Sequence, residues 1–300
     1  MSSDVRHSFN WLARTISINI ETLKLLGLTA RPYFRRREIP KKNGEMRVLD
    51  VPRGLLKHVQ PQISELILKP KPSRECVQGC VRGHSPHSNA KWHLHPVLLV
   101  TIDIKDFFPS VTNRAVYKTW CESFLCVPDV ARLLTLLTTY KGQLPQGAPT
   151  SPGLANWALA PFDDVLEGST KAANVAYTRY ADDICFSGER ATEFIQLAIN
   201  QLGRLGYAVS RKKVKVMTPR SSQVVTGYTV ARATGPSVSR GKREKLLNDI
   251  RLFRQVGGDP TKPSPELASL NGRIAYVRRT NPGTAKRFER ALIAGKAQPN

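Results

Sequence analysis

The chain has 300 residues, which is enough to bury a sizeable core and suits one large globular unit or two to three subdomains. It contains 46 Lys and Arg against 23 Asp and Glu, a formal net charge of +23, and no apolar run approaches the length of a membrane span. This composition disfavours a membrane protein, and it makes nucleic acid the expected partner because cations that neutralise phosphates release condensed counterions.

The charge is unevenly distributed along the chain. Residues 1–100 hold 17 basic and 7 acidic side chains, residues 101–200 hold 8 and 11, and residues 201–300 hold 21 and 5. Basic ends around an acidic middle argue against the alternative of a generally basic surface without a ligand. The start lacks the layout of a signal peptide and the five cysteines are odd in number, so we expect a soluble, cytoplasmic protein with reduced thiols.

The first third predicts a helix, a hairpin and another helix. SINIETLKLLGL has apolar residues at helical spacing, and RPYFRRREIPKKNGEMRVLDVP predicts two short strands joined at Asn43-Gly44. GLLKHVQPQISELIL is typical of a helix in spite of Pro61, and the segment from there to Pro96 is expected to be irregular.

A small zinc site is an alternative within that irregular segment. Cys76, Cys80, His84 and His87 have nearly the spacing of zinc ligands. No second half with a structured intervening loop follows, and the usual CxxC knuckle is absent, so core or surface roles are favoured for these side chains.

The middle third predicts strands that end at acidic residues. PVLLVTIDI is a continuous apolar run ending near Asp103, as expected for a strand buried on both faces. Helices are predicted at 113–124, 128–140 and 152–167, the last of them after the Pro- and Gly-rich LPQGAPTSPG. NVAYTRY and ICFSG predict two strands with Asp182 and Asp183 at the turn between them.

The last third predicts a helix at 190–205, strands near 207–217 and 223–230, and two or three basic helices from Arg240 onward. The basic faces of these helices suit an RNA backbone that is recognised by shape. Tyr228, Tyr276 and Phe288 could stack on bases, but core packing is the favoured use of these rings.

Three carboxylates, those of Asp103, Asp182 and Asp183, would converge if their strands are neighbours. Buried carboxylates repel one another unless a cation lies among them, and an all-oxygen cluster suits a hard ion such as magnesium. Two such ions can activate an attacking hydroxyl and stabilise a leaving pyrophosphate in nucleotidyl transfer. The alternative for an isolated Asp-Asp pair is a solvated turn, which the neighbouring residues disfavour.

These motifs resemble those of reverse transcriptases. YADD, residues 180–183, is similar to the catalytic motif of the family, and TIDIKDFFPS is similar to its other acidic strand. NAKWH, residues 89–93, and VTG, residues 225–227, resemble two signatures of the bacterial retron reverse transcriptases. The likeness extends over residues 31–286.

The resemblance implies an α+β right-hand polymerase fold, with fingers, a palm whose antiparallel sheet carries the catalytic acids, and a helical thumb. The implied division is an N-terminal helix and fingers at 1–96, continuing into parts of 112–150, a palm at 97–230 and a thumb at 231–300. Asp103, Asp182 and Asp183 would be catalytic and would bind two Mg²⁺ ions, with Mn²⁺ as a substitute, and the carbonyl of Ile104 would be an additional ligand.

The resemblance also implies a nucleotide pocket. Phe108 would lie under the incoming sugar and exclude a ribose 2′-hydroxyl, Gln146 would line the pocket, and Gly147 would let the backbone approach the sugar. Arg47 and Lys41 are assigned to the triphosphate, where a guanidinium can contact two oxygens, and Lys213 is assigned to the pyrophosphate. The alternatives are a core position for Phe108, a Pro-rich turn at 144–152 and a solvated basic face at Lys213.

For a retron enzyme, the implied function is to copy a cognate structured noncoding RNA (msr-msd) with dNTPs into multicopy single-stranded DNA (msDNA), primed from a guanosine 2′-hydroxyl of that RNA. The RNA-binding residues implied by the two signatures are Asn89, His93, Val225, Thr226 and Gly227. A separate effector protein, a role against bacteriophage and a bacterial cytoplasmic location are also implied. The alternatives are a group II intron or diversity-generating reverse transcriptase, or a non-catalytic RNA-binding protein.

Overall fold

Eight strands form the framework of the protein. The computed structural model describes residues 7–40 and 44–293. Lys41 therefore lies outside the described residues. Within this part of the chain, the strands are β1 Phe34–Pro40, β2 Met46–Pro52, β3 Leu99–Asp103, β4 Ala176–Tyr180, β5 Asp183–Ser187, β6 Lys215–Met217, β7 Val224–Val225 and β8 Tyr228–Thr229.

The central sheet is antiparallel and has the strand order β4-β5-β3-β6. Strand β3 is buried along most of its length, as its continuous apolar sequence predicts for a strand covered on both faces. Its register with β5 sets Leu99 opposite Ser187 and Asp103 opposite Asp183. The condition under which the three acids converge, that their strands are neighbours, is therefore met.

Thirteen helices surround the strands in the described residues. They are α1 Phe9–Ile16, α2 Ile20–Leu28, α3 Leu56–Ile63, α4 Pro86–Lys91, α5 Phe107–Ser110, α6 Asn113–Glu122, α7 Pro128–Thr138, α8 Ser151–Ala158, α9 Ala160–Ala172, α10 Phe194–Arg204, α11 Arg240–Gln255, α12 Pro265–Arg278 and α13 Pro282–Ile293. Helix α3 tolerates the internal Pro61 and continues into a π-helical turn over Ser64–Leu68.

The structure differs from the predicted elements in two helical regions. The helix predicted at 152–167 is divided into α8 and α9 because Pro161, in the first turn of α9, has no N–H to extend the preceding helix. The segment up to Pro96, predicted to be irregular, contains α4. Helix α4 begins with a capping box, in which the Ser85 and Ser88 side chains each accept from the other residue's backbone N–H, and with Pro86 at its first position.

Two hairpins flank the sheet. The predicted β1-β2 hairpin is confirmed, with Pro40 paired to Met46 at the end next to the turn, and Asn43 of the predicted turn lies outside the described residues. The strand predicted near 223–230 is instead a tight hairpin of β7 and β8. Its turn residues Thr226 and Gly227 both have positive φ values, 44° and 90°, a conformation that suits the glycine.

Two hydrophobic clusters hold these elements together. The larger one extends from α1 to Tyr207 and packs helices against one face of the sheet. The second joins Leu99 and Met217 of the sheet to β7, β8 and helices α11–α13. The C-terminal helices therefore share one hydrophobic cluster with this part of the sheet and with the β7 and β8 residues.

The three aromatic residues considered for base stacking belong to this second cluster. Tyr228 is 1% exposed and stacks on the half-buried Tyr276 with ring centroids 4.2 Å apart, and Phe288 is 6% exposed. Core packing, the favoured use of these rings, is confirmed. The five cysteines are free thiols, and no helix of the described residues is long and apolar enough to span a membrane.

We expect Phe288→Ala to lower the free energy of unfolding by about 3–5 kcal/mol, because the truncation leaves a cavity where α13 packs on the second cluster. Urea unfolding would measure the change. The matched control is Leu252→Ala on α11, where the side chain is 58% exposed and the effect should stay within about 0.5 kcal/mol. Loss of RNA binding by Phe288→Ala with unchanged stability would contradict the core assignment.

Candidate active site

The three predicted acids meet at one end of the central sheet. Asp103 ends β3 and Asp183 begins β5, and their pairing places both side chains on the same face of the sheet. Asp182 lies in the turn that connects β4 to β5, and its carbonyl accepts a hydrogen bond from the N–H of Ile104 at 3.1 Å. The turn is thereby tied to the strand that carries the third acid.

The electrostatics of this cluster reflect like charges held close together. Removal from bulk water, followed by repulsion from Asp182 and Asp103, raises the pKa of Asp183 to about 6. Removal from water, together with the charge of Asp103, also raises the pKa of Asp182, and Lys213 and Arg47 oppose this shift. Part of the Asp183 surface nevertheless stays accessible to solvent, so water moderates both the desolvation and the repulsion. The arrangement favours a cation among the acids.

Lys213 supplies one such cation. Its Nζ donates to both carboxylate oxygens of Asp103 at 2.8 and 2.9 Å, and this contact raises the pKa of Lys213. The lysine side chain is 62% exposed whereas that of Asp103 is 14% exposed, so Lys213 reaches the acid from the solvent side. The sequence predicts a pyrophosphate contact for Lys213, but it does not indicate the contact with Asp103.

The fit of the site to a metal is one of donor chemistry. The three side chains offer only carboxylate oxygens, the donors that hard divalent cations prefer, and they lie close enough to perturb one another. In the described part of the chain, no group of three or more His, Cys, Asp or Glu side chains already forms a metal-binding cluster. At the aspartates, Lys213 Nζ contacts both oxygens of Asp103, so an ion bound there would replace this contact. Cys76, Cys80, His84 and His87 form no such cluster either, so the structure adds nothing to the zinc alternative.

Residues predicted for the nucleotide pocket lie on two segments that contact each other, strand β2 and the 144–150 loop. Arg47 is exposed on β2 and close enough to lower the pKa of Asp182. The carbonyl of Gln146 accepts from Asp50 N–H at 2.8 Å, which docks the 144–150 loop on β2. Gly147 has a φ of 108° and lies against Leu49 and Val51, so a larger residue there would be strained.

Phe108 occupies the short helix α5 beside Asp103. Its neighbour Phe107 is buried, and the two rings are tilted with centroids 5.3 Å apart. Phe108 is only partly buried, so one side of its ring packs on the core and the rest is accessible. A ring held this way can act as a wall, which is compatible with the predicted position under a sugar.

The NAKWH and VTG segments, far apart in sequence, pack against each other. The side chain of Asn89 donates to Thr226 Oγ1 at 3.4 Å, and Thr226 Oγ1 donates to the Pro86 carbonyl at 2.8 Å. Asn89, His93 and Val225 are at most 1% exposed, whereas Thr226 and Gly227 are partly exposed. Direct RNA contact by all five stays a prediction, and only the two turn residues are accessible for it.

His93 is held inside the protein as a neutral ring. One ring nitrogen lies 2.7 Å from Ser187 Oγ and the other lies 2.7 Å from Thr178 Oγ1, which joins α4 to strands β4 and β5. Burial lowers the pKa of His93 to about 3. Its role in the structure is to fix the NAKWH segment on the sheet.

A groove of about 600 Å³ is lined by one of the acids, Asp183, and by the VTG turn. Its lining includes Tyr180 and Asp183 from the acidic end of the sheet, Lys215 from strand β6, and Thr226 and Gly227 from the turn. The sequence indicates Asp183 and the VTG turn separately, but it gives no sign that they line one groove.

The sequence also gives no sign of a role for Arg179, a fully buried charge that lies directly behind the acidic turn.

Comparisons with known proteins show which family the chain is similar to. Residues 39–232 match the profile of the family described as reverse transcriptase (RNA-dependent DNA polymerase). The chain is 32% identical to the retron Mx65 reverse transcriptase of Myxococcus xanthus, with 84% of this chain and 62% of that protein covered. It is 30% identical to the retron Ec86 reverse transcriptase of Escherichia coli, with 91% and 84% covered. The chain thus spans less than two thirds of the length of the first relative and most of the second.

Solved structures are similar at the level of the fold. Telomerase from Candida tropicalis, in complex with a fragment of telomeric RNA, is 12% identical with a TM-score of 0.51, and the match covers 85% of this chain and 55% of that one. Telomerase from Candida albicans is also 12% identical, with a TM-score of 0.50 and coverages of 86% and 56%. At this identity the likeness shows a common fold, which is the right-hand fold expected from the sequence.

We expect the neutral, buried His93 to make the fold sensitive to acid. Its folded pKa of about 3 lies below the usual 6.5, so its contribution is fully present above pH 6.5 and is lost as the pH falls towards 3. Between pH 7.5 and 5.0, the free energy of unfolding should fall by about 2 kcal/mol more in the wild type than in His93→Gln. Urea unfolding at both pH values would measure this, and equal losses in the two proteins would contradict it.

Proposed function

The chain belongs to the reverse transcriptase family, and within it to the retron reverse transcriptases, and we propose that it copies a cognate structured noncoding RNA into DNA. The observation that carries this proposal is the register of the central sheet, which sets Asp103 opposite Asp183 with Asp182 in the adjoining turn. In a retron, the template would be the msr-msd RNA and the product msDNA, joined to the 2′-hydroxyl of a guanosine in that RNA.

The acids would bind divalent metal ions, with Mg²⁺ as the proposed ion and Mn²⁺ as a substitute. Asp103, Asp182 and Asp183 would be the ligands, together with the carbonyl of Ile104. When bound, two such ions would activate the attacking hydroxyl and stabilise the charge on the leaving pyrophosphate. The raised pKa of Asp183 shows that a negative charge is disfavoured at this site unless a cation is nearby. Lys213 is such a cation for Asp103 in the protein without substrate.

The side chains around the acids would orient the incoming nucleotide. Arg47, exposed on β2, is suited to the triphosphate because a guanidinium can contact two phosphate oxygens. Lys213 forms an ion pair with Asp103, and its ammonium group would offset the negative charge of the pyrophosphate. Gln146 and Gly147 belong to the loop docked on β2, so they would form the wall of the pocket between these cations. Lys41 is assigned to the triphosphate from sequence alone.

The RNA would cross the basic C-terminal helices and the groove beside the VTG turn. Helix α11 alone contains Arg240, Lys242, Arg243 and Lys245 in its first turns, and these cations suit a phosphate backbone. Thr226 and Gly227 line the same groove as Asp183, which supports the proposal that the end of the primer lies there. We accordingly assign fingers to 1–96 and parts of 112–150, the palm to 97–230 and the thumb to 231–300, and expect a separate effector protein in the bacterial cytoplasm.

The central test combines Asp182→Asn with Asp183→Asn. Purified protein, its cognate RNA, dNTPs and Mg²⁺ should yield DNA covalently joined to RNA, and the double variant should lose at least about 10³-fold in rate because the metal ligands are removed. Asp106→Asn, an exposed acid at the start of α5, is the matched control and should retain synthesis. Synthesis by the double variant at the wild-type rate would exclude the proposed active site, and DNA without an RNA branch would favour a non-retron enzyme.

A second test concerns the choice of sugar. Phe108→Ala should raise the use of ribonucleotides relative to dNTPs by about 10- to 200-fold, the discrimination that one missing steric contact typically provides. Competition assays with each dNTP and rNTP pair would measure the ratio. Phe108→Tyr keeps the ring and should preserve the preference for dNTPs. An unchanged preference in Phe108→Ala would assign Phe108 to the core alone.

A further inference from the structure

A buried arginine lies directly behind the acidic turn. Arg179, on β4, is 0% exposed. Its Nε and Nη2 donate to the two oxygens of Asp163 at 2.8 and 2.6 Å, and its Nη1 donates to Asn156 Oδ1 at 2.9 Å and to the carbonyl of Ala181 at 3.1 Å. With a longer contact from Nη2 to the carbonyl of Asn156, all five N–H groups have acceptors.

The charge of Arg179 is maintained inside the protein. Burial alone would lower its pKa, but the carboxylate of Asp163 keeps the pKa of Arg179 above its usual value. Asp163 is also 0% exposed. Because apolar residues of similar volume can replace a buried ion pair without loss of stability, stability alone does not account for an arginine at this position.

The group that Arg179 contacts in the turn is in an unusual conformation. Ala181 has a φ of 56°, in the left-handed region that residues with a Cβ seldom adopt. Ala181 immediately precedes Asp182, so its backbone angles determine where both acids project. The hydrogen bond from Nη1 to the Ala181 carbonyl therefore acts on a turn residue that is held in an unfavourable conformation.

The turn is also supported by a segment from outside the sheet. The N–H groups of Gln78 and Gly79 donate to the Arg179 carbonyl at 2.8 and 3.3 Å, and Asn156 Nδ2 donates to the Gly79 carbonyl at 2.8 Å. A Cβ at Gly79 would overlap the backbone nitrogen of Ala181. Asn156 thus links Arg179 to a backbone that touches the turn.

We propose that Arg179 is a positioning residue that holds Ala181 in its left-handed conformation, so that Asp182 and Asp183 project together towards Asp103. The inference rests on the proposed function, since it assigns these acids to metal ions. Arg179 does not touch the reacting groups. It acts through one backbone carbonyl, and Asp163 and Asn156 keep its guanidinium aimed at that carbonyl.

Arg179→Lys is the discriminating variant, because lysine keeps the charge that pairs with Asp163 but cannot contact Asp163, Asn156 and Ala181 at once. We expect Mn²⁺ binding to the full-length protein, measured by electron paramagnetic resonance without RNA or dNTP, to weaken by about 10-fold. The value of kcat for DNA synthesis should fall about 10- to 100-fold while KM for dNTP changes little.

A second substitution separates positioning from general stability. Glycine adopts positive φ without steric cost, so Ala181→Gly added to Arg179→Lys should restore Mn²⁺ binding to within about 3-fold of the wild type. A role confined to the stability of the core would not be rescued by a change in the turn. If Arg179→Lys does not fold, Asn156→Leu removes an acceptor of Arg179 while leaving Asp163 paired, and it should weaken Mn²⁺ binding in the same direction.

Tyr177→Phe is the matched control. The hydroxyl of Tyr177 donates to the same Asp163 carboxylate at 2.6 Å and makes no contact with the turn, so Mn²⁺ binding and kcat should change by less than about 2-fold. Unchanged Mn²⁺ binding in a folded Arg179→Lys, or an equal loss in Tyr177→Phe, would overturn the inference. A wild type that binds Mn²⁺ but makes no DNA would instead overturn the proposed function.

Discussion

Three like charges converge at one end of a buried sheet, and the packing around them has to hold them there. The pairing of β3 with β5 places Asp103 opposite Asp183, and the turn between β4 and β5 adds Asp182. Loss of water, followed by repulsion between the carboxylates, raises the pKa values of Asp182 and Asp183. Such a cluster persists only because the apolar strands on either side are held by packing, and because Lys213 offsets the charge of Asp103.

Much of this end of the sheet could be predicted from the sequence because its signals are local. An apolar run that ends at Asp103, and two strands around Asp182, require only neighbouring residues to be recognised, and the β1-β2 hairpin follows in the same way from Asn43-Gly44. Contacts between distant segments could not be predicted from such patterns. The bond from Lys213 to Asp103 joins residues 110 positions apart, and a basic run gives no indication of which carboxylate it will reach.

The same limit applies to the two signature segments. As short motifs, NAKWH and VTG indicate polar residues available to a ligand, yet the fold buries His93 and Asn89 and uses them to join α4 to the sheet and to the β7-β8 turn. Asn89 Oδ1 is buried without a hydrogen-bond partner among the described residues, which is an unusual cost for a purely structural amide. The two segments are best understood as one unit, in which the first supports the exposed turn of the second.

That turn is also supported from the opposite side. The carbonyl of Gly227 accepts from Lys242 of α11 at 2.9 Å, and the carbonyl of Thr226 accepts from the Tyr276 hydroxyl of α12 at 3.4 Å. A shift of α11 or α12 would therefore also shift the VTG turn, which lines the groove beside Asp183. Lys242 donates a hydrogen bond to a backbone carbonyl of the VTG turn, so its ammonium group does not contact solvent alone. The basic helices are therefore linked to the acidic end of the sheet through the VTG turn, in addition to the long-range attraction of their charge for RNA.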